Sequence, residues 1–185
     1  NVLLFRTGRY DLVSAGGFWL SETPLIAGSV SWDAMRARHV NWVRLRDRVS
    51  RQEFRVINTH FDHKGQVARE NQARMINEEA GQYLPEFPQI LAGDLNAKPD
   101  NPAIAALENA GWVETHQAVH AKRTGATFRG LEGKPAGPNE PAGLPIDYVF
   151  TRGKIKATAA AVLHDSATGV FPSDHYFVMA DVVIG

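Results

Sequence analysis

The chain contains no cysteine, which excludes disulfides and thiolate metal sites while leaving cytosol, periplasm and extracellular space equally open. It also lacks an excess of either charge: 20 Lys and Arg balance 20 Asp and Glu, for a formal net charge of zero. The whole-molecule field therefore offers a polyanion no long-range attraction, and any phosphate binding must be built locally. Apolar runs are short. Stretches such as Ala159 to Leu163 fall far below the roughly 18 residues that cross a bilayer, which predicts a soluble chain without a membrane span. There is no initiator Met and no signal-like segment, and Asn1 runs directly into apolar Val2-Leu3-Leu4-Phe5, so the start reads as cut. What is present, 185 residues of which 44% are hydrophobic, can bury a sizeable core and predicts one domain over residues 1–185.

Strand signals come first. Val2 to Phe5 and Tyr10 to Ser14 flank Arg6-Thr7-Gly8-Arg9 and predict a hairpin. Residues 21–37 mix Pro, Gly and Ser without a period and read as a long surface loop. Val43 and Leu45 alternate with Arg44 and Arg46, and Phe54 and Val56 with Arg55 and Ile57, predicting two strands about a turn near Ser50, the second ending at His60. From Gln66 to Leu84, Ile76, Ala80, Tyr83 and Leu84 follow helical spacing with Met75 beside them, and Pro85 ends the pattern. Gln89 to Ala92 predicts a short buried strand, followed by a helix capped by Asn101 and ended by Gly111. Four Gly and four Pro between Gly130 and Pro145 predict an irregular loop. Residues 146–151, 154–163 and 176–184 supply the last strands.

Polar residues capable of chemistry gather at the ends of these apolar runs. Asn58-Thr59-His60, Gly93-Asp94-Leu95-Asn96, Ile146-Asp147-Tyr148 and Ser173-Asp174-His175 each sit where backbone leaves the core, a placement from which carboxylates, amides and imidazoles can converge on a metal-assisted hydrolytic site. Asp94 and Asn96, two residues apart, face one side of an extended tip, or else form a turn bonded to local backbone. Asp147, second in an apolar run, needs a cation or a donor to remain ionised, and a His partner would serve. Adjacent side chains of extended backbone point opposite ways, so Asp174 and His175 have different partners. His63 reads as a structural histidine, Arg36, Arg38, Arg44, Arg46 and Arg48 as a solvated strand face, with phosphate contact the alternative, and Trp19, Trp32 and Trp42 as core packing.

In this order the motifs at His60, Asp94, Asn96, Asp147, Asp174 and His175 resemble the endonuclease/exonuclease/phosphatase superfamily, with the deoxyribonuclease-I-like fold, and Phe18-Trp19-Leu20-Ser21-Glu22-Thr23-Pro24 and Ser31-Trp32-Asp33 resemble a bacterial branch of it. The resemblance implies an α+β fold, a four-layer α/β/β/α sandwich of two mostly antiparallel sheets, here lacking its N-terminal strands. It implies a divalent cation, magnesium or alternatively manganese, and hydrolysis of a phosphoester by water. By motif, Asp94 would activate the water, Asn96 hold that water or a phosphate oxygen, His60 and His175 face the phosphoryl oxygens, Asp147 support a protonated His175, and Asp174 approach the metal.

Two departures stand out. The family's upstream metal-binding Asn and Glu have no matching motif at Asn1 or Glu22, and Phe177 stands where the family often has Pro. The expected cover for the open sheet edge is then a missing N-terminal segment or a second copy. The expected substrate is a phosphorylated small molecule or a nucleic-acid end, most simply a small or terminal phosphoester. A deadenylase-like 3′–5′ exonuclease is the competing enzyme, and a truncated phosphate- or protein-binding module without catalysis is the alternative of another class.

Overall fold

The computed structural model describes residues 2–122, 125–129, 143–167 and 170–185, so most of the Gly- and Pro-rich stretch lies outside the described residues. Among the described residues the elements are, in order, β1 (Tyr10–Trp19), β2 (His39–Asp47), β3 (Glu53–His60), α1 (Gln66–Ala80), β4 (Gln89–Asp94), α2 (Pro102–Asn109), β5 (Val113–Glu114), α3 (Thr115–His120), β6 (Asp147–Arg152), β7 (Ile155–Leu163) and β8 (Phe177–Ile184). Six strands form one sheet in the order β1-β2-β3-β4-β6-β5, while β7 and β8 form a second, two-stranded one. Every pairing is antiparallel except β3 with β4, which α1 connects as a parallel crossover. No helix among the described residues is long and apolar enough to cross a membrane.

The strand alternation assigns the two faces of the larger sheet. Val40 and Trp42 on β2 register with Thr59 and Ile57 on β3, then with Gly93 and Leu91 on β4, and with Tyr148 and Phe150 on β6. This face packs on α1 and α2, and its Ile57, Leu91, Tyr148 and Phe150 join Ile76, Ala80, Ile104, Leu107 and Trp112 in one buried core. The opposite face carries the other parity, including His60, Asp94 and Asp147. Toward the far ends of the strands, that face and β8 enclose a cleft of about 570 Å³ lined by Leu45, Phe54, Val56, Ile90 and Val182, and none of the sequence-predicted site residues lines it.

Two sequence expectations are corrected. Val2 to Phe5 form no ladder: the turn from Arg6 to Tyr10 is present, but β1 runs on to Trp19 and pairs with β2, a register held by Arg9 on Asp47 and Arg48 on Asp11. The α1 helix stops at Ala80 rather than Leu84, because the Ala80 carbonyl is taken by the side chains of Gln89 and Arg152, both at 3.0 Å, and Gly81 follows. The predicted helix after Asn101 is present, with the Asn101 side chain accepting from Ala103 N–H and Pro102 opening the first turn. Trp42 lies under the fully buried Arg55, whose guanidinium is 4.5 Å from its ring and bonds Glu79, so the packing role expected for it holds.

The long loop before β2 is tied down by two aspartates. Asp33 reaches across the chain to accept the N–H groups of Val67 and Ala68, capping α1 where its local cap residue, Gly65, has no side chain to offer. A Cβ on Gly65 would meet Asp33 at 2.5 Å, so glycine is required for that cap to close. Asp62, fully buried, accepts Lys64 and Gly65 N–H on Oδ1 and Met35 and Arg36 N–H on Oδ2. Burial alone would raise its carboxyl, but these four donors hold it down at about 2. A depressed carboxyl stabilises the fold above the unfolded carboxylate range near 4, and the contribution fades as pH falls toward 2.

Two substitutions test this framework. Gly93 has φ of +148° and sits in the core-facing row between Thr59 and Tyr148, where a Cβ would overlap the Thr59 carbonyl. Gly93→Ala is expected to lower stability by about 3 kcal/mol or more in urea unfolding. Asp62→Asn, which leaves two backbone N–H groups without an acceptor, is expected to cost about 2–4 kcal/mol at neutral pH. That difference from the parent chain should shrink as pH is lowered toward 2.

Candidate active site

Three titratable side chains stand side by side because three strand ends coincide. Parallel β3 and β4 both finish at the same edge of the sheet, where His60 registers with Asp94. Antiparallel β6 begins at that edge, and Asp94 registers with Asp147. Neighbouring positions in such a row have their Cβ atoms about 5 Å apart and project from one face. His60 Nε2 accordingly lies 3.3 Å from Asp94 Oδ2.

The fourth member arrives from outside the larger sheet. The segment before β8 bridges to Phe128, and the Ser173 hydroxyl accepts His175 N–H, which brings His175 over the row. Its Nδ1 bonds Asp147 Oδ2 at 2.8 Å and its Nε2 lies 3.9 Å from Asp94 Oδ2. Phe128, about half exposed, packs against the other side of the imidazole with ring centroids 4.9 Å apart. Asp147 is further fixed by its own N–H, donated to the hydroxyl of the fully buried Thr127.

Of the two readings of the Asp94 loop, the turn bonded to local backbone is present and the extended tip is corrected. Asn96 adopts a left-handed conformation with φ of 46°, not an extended one, and its N–H donates to Asp94 Oδ1 at 2.8 Å. Its side-chain amide donates to the Phe61 carbonyl, and Phe61 N–H donates to the Asp94 carbonyl, so the turn is bolted to the end of β3. The local bond thus occupies Oδ1 and leaves Oδ2 facing both histidines.

The electrostatics separate the groups. Burial pushes Asp94 up to about 6, with the charge of Asp147 adding to the effect and the Asn96 N–H opposing it. Burial, helped by the charges of Arg38, His175 and His63, pulls His60 down to about 4, so its imidazole is neutral at pH 7. For His175 burial works against the charged form, yet the hydrogen bond and charge of Asp147, with Asp94 and Asp174, raise it above the ordinary imidazole value. The site therefore brings a neutral imidazole, a reluctant carboxylate and a second imidazole whose protonated form is favoured within contact distance.

Of the sequence-predicted residues, His60, Asp94, Asn96, Asp147 and His175 come together. Asp94, Asp147 and His175 offer ligand atoms all within 4.8 Å of one another, a group able to hold a metal ion. Asp174 lies outside that group, its Oδ1 3.4 Å from the Ser173 hydroxyl. Its carbonyl accepts Arg129 N–H, and its charge is felt by His175. Asp62 and His63, adjacent in sequence to His60, have structural partners instead. Arg44 and Arg46 pair with Glu53 and Arg48 with Asp11 on the surface, as a solvated strand face requires. Arg38 does not belong with them: its side chain is 11% exposed and its charge reaches both His60 and Asp94. Only its place just before β2, one step beyond the edge where His60 sits, distinguishes it in the sequence.

Comparison with known proteins bears on the family and the fold. A mannosyl-6-phosphatase of Bacteroides thetaiotaomicron is 29% identical, with a TM-score of 0.84 over 97% of this chain and 69% of that one. A functionally unknown conserved protein of Enterococcus faecalis is 26% identical, with a TM-score of 0.85 over 98% of this chain and 69% of that one. The human Nocturnin catalytic domain, solved with bound sulfate, is 17% identical with a TM-score of 0.68 over 98% of this chain and 62% of that one, a likeness of fold. No curated protein matches the chain significantly. The profile of the Endonuclease/Exonuclease/phosphatase family matches residues 5–175, nearly the whole length, and with the mixed α+β fold of a six-stranded and a two-stranded sheet it shows that the chain belongs to that family, whose fold is deoxyribonuclease-I-like.

Proposed function

We propose that this chain is a divalent-cation-dependent hydrolase of small or terminal phosphoesters, with magnesium as the preferred ion. One observation carries the reading: the row His60, Asp94, Asp147 closed by His175, in which a carboxylate oxygen with a raised proton affinity faces an imidazole held by a second carboxylate. Asp94 Oδ2 accepts the proton of a water attacking phosphorus, while the Oδ1 bond from Asn96 N–H fixes the carboxylate plane. His175, kept protonated by Asp147, donates to the phosphoryl oxygens as charge accumulates on them, and neutral His60 donates from the other side.

The donor set suits the ion. Asp94 and Asp147, with Asp174 beside them, supply hard oxygens of the kind magnesium or manganese takes, and no thiolate competes. A bound cation supplies charge that neutralises the phosphoryl oxygens. A small substrate is favoured over a long nucleic acid by the zero net charge and by the similarity to a mannosyl-6-phosphatase.

The test is turnover, with magnesium, of sugar phosphates, nucleotides and short oligonucleotides. Sugar-phosphate hydrolysis is the expected result, and turnover of oligonucleotides alone would overturn the substrate class. Asp94→Ala should lower kcat by at least about a hundredfold while leaving the unfolding transition in place, since it removes a buried carboxyl that resists ionisation. The profile of kcat/KM against pH should be bell-shaped. Its acid limb falls at or below about 6, because Asp94 must be deprotonated and a bound cation favours that form. Its alkaline limb falls above the ordinary imidazole range, because His175 must keep its proton. Asp147→Asn removes the charge that raises both groups, so both limbs should move to lower pH, a shift an unrelated structural defect would not produce.

A further inference from the structure

Arg38 is a partly buried cation, its side chain 11% exposed, with one buried donor unmatched. Its closest carboxylate, Asp62, lies 3.7 Å from Nε, too far for a hydrogen bond, and the reason is saturation: all four acceptor positions of Asp62 are taken by the N–H groups of Met35, Arg36, Lys64 and Gly65. Asp62 therefore balances part of the charge of Arg38 without accepting any of its protons. Nη2 lies 3.1 Å from His63 Nδ1, while Nε is buried without a hydrogen-bond partner. A guanidinium carries five N–H donors, and leaving one of them, here that of Nε, unmatched in a desolvated setting is costly.

The position is equally specific. In the β2/β3 register Val40 opposes Thr59, so Arg38, one residue before His39 and β2, stands against the chain that leaves His60. Leu20 N–H donates to its carbonyl, and the Asp33 and Asp62 anchors hold the residues immediately before it. On this side of the site His60 is neutral at pH 7, and Arg38 is the cation whose field reaches His60 and Asp94. His175 provides the positive charge on the other side.

Resting on the hydrolase reading above, we propose that Arg38 binds the substrate's phosphoryl oxygens from the His60 side and selects a terminal phosphomonoester over a phosphodiester. A planar fork of donors fits two oxygens of one phosphate, and a monoester dianion carries about twice the charge of a diester for a nearby cation to attract. A second organic substituent would also remove one of the free oxygens the fork can take. Arg38 is thus the residue that sets which phosphate class is held, while Asp94 and the histidines act on the phosphorus itself.

The experiment measures binding of inorganic phosphate by calorimetry in the presence of magnesium, and kinetics on a paired monoester and diester of the same alcohol, for the parent chain, Arg38→Met and Arg38→Lys. The expected result for Arg38→Met is a phosphate Kd weakened about tenfold or more, with kcat/KM lost at least about tenfold more on the monoester than on the diester and mainly through KM. Arg38→Lys, which keeps the charge without the fork, should fall between, and it carries the test if Arg38→Met fails to fold. Phosphate binding unchanged within about twofold, or equal losses on both esters, would overturn the proposal. The calorimetric arm is independent of turnover. A parent chain that hydrolyses nothing but binds phosphate through Arg38 would sink the hydrolase reading alone, and one that binds no phosphate would sink the role of Arg38.

Discussion

The functional face of this protein depends on one pairing, the parallel alignment of β3 with β4. Two parallel strands end at the same edge of a sheet, and an antiparallel neighbour begins there, so the row His60, Asp94, Asp147 is a consequence of strand polarity as much as of residue choice. A shift of β4 by one residue would turn Asp94 into the helix-packed core and bring Gly93 to the site. Gly93 itself protects the register: with no side chain it lets the Thr59 backbone approach, so that Asp94 follows immediately on the opposite face.

Around that row the chain distributes polar groups according to whether they can be satisfied. Asp62 and Asp94 are both acidic residues at or just past strand ends, yet their environments drive them apart. Four backbone donors hold the Asp62 carboxyl down at about 2, whereas burial and a neighbouring carboxylate lift Asp94 to about 6 against the single backbone donor that opposes them. The first is a structural clamp on the loop before β2. The second is a group suited to taking up a proton near neutrality. The same contrast separates the arginines, since Arg44 and Arg46 share Glu53 at the surface while Arg38, mostly withdrawn from solvent, stands beside a carboxylate with no acceptor left to give.

Much of the molecule was legible from local pattern. The strands at 39–47 and 53–60, the helix after Asn101 and the last two strands follow from alternation, capping and β-branched content, which act over a few residues. Illegible features depend on distant partners. The early end of α1 is set by Gln89 and Arg152 reaching back to Ala80. Val2 to Phe5 have strand composition but join no ladder, since β1 pairs with β2 and the Val2 carbonyl accepts the Asn58 side chain instead. Asp33 reads as a loop residue until α1 is found to need its cap.

By itself the sequence determined which residues could do chemistry and that they stood at strand ends: His60, Asp94, Asn96, Asp147 and His175 were identifiable because polar groups closing apolar runs require either solvent or a partner. It also determined that phosphate would have to be held locally, because net charge is a sum that needs no coordinates. Only the tertiary structure decided that His175 bonds Asp147, that Asp174 stands outside the metal-capable group, and that Arg38 Nε is buried without a hydrogen-bond partner. Those outcomes rest on distances between residues far apart in the chain. Charge and hydrogen-bond energies are set by separation and burial, neither of which is written in residue order.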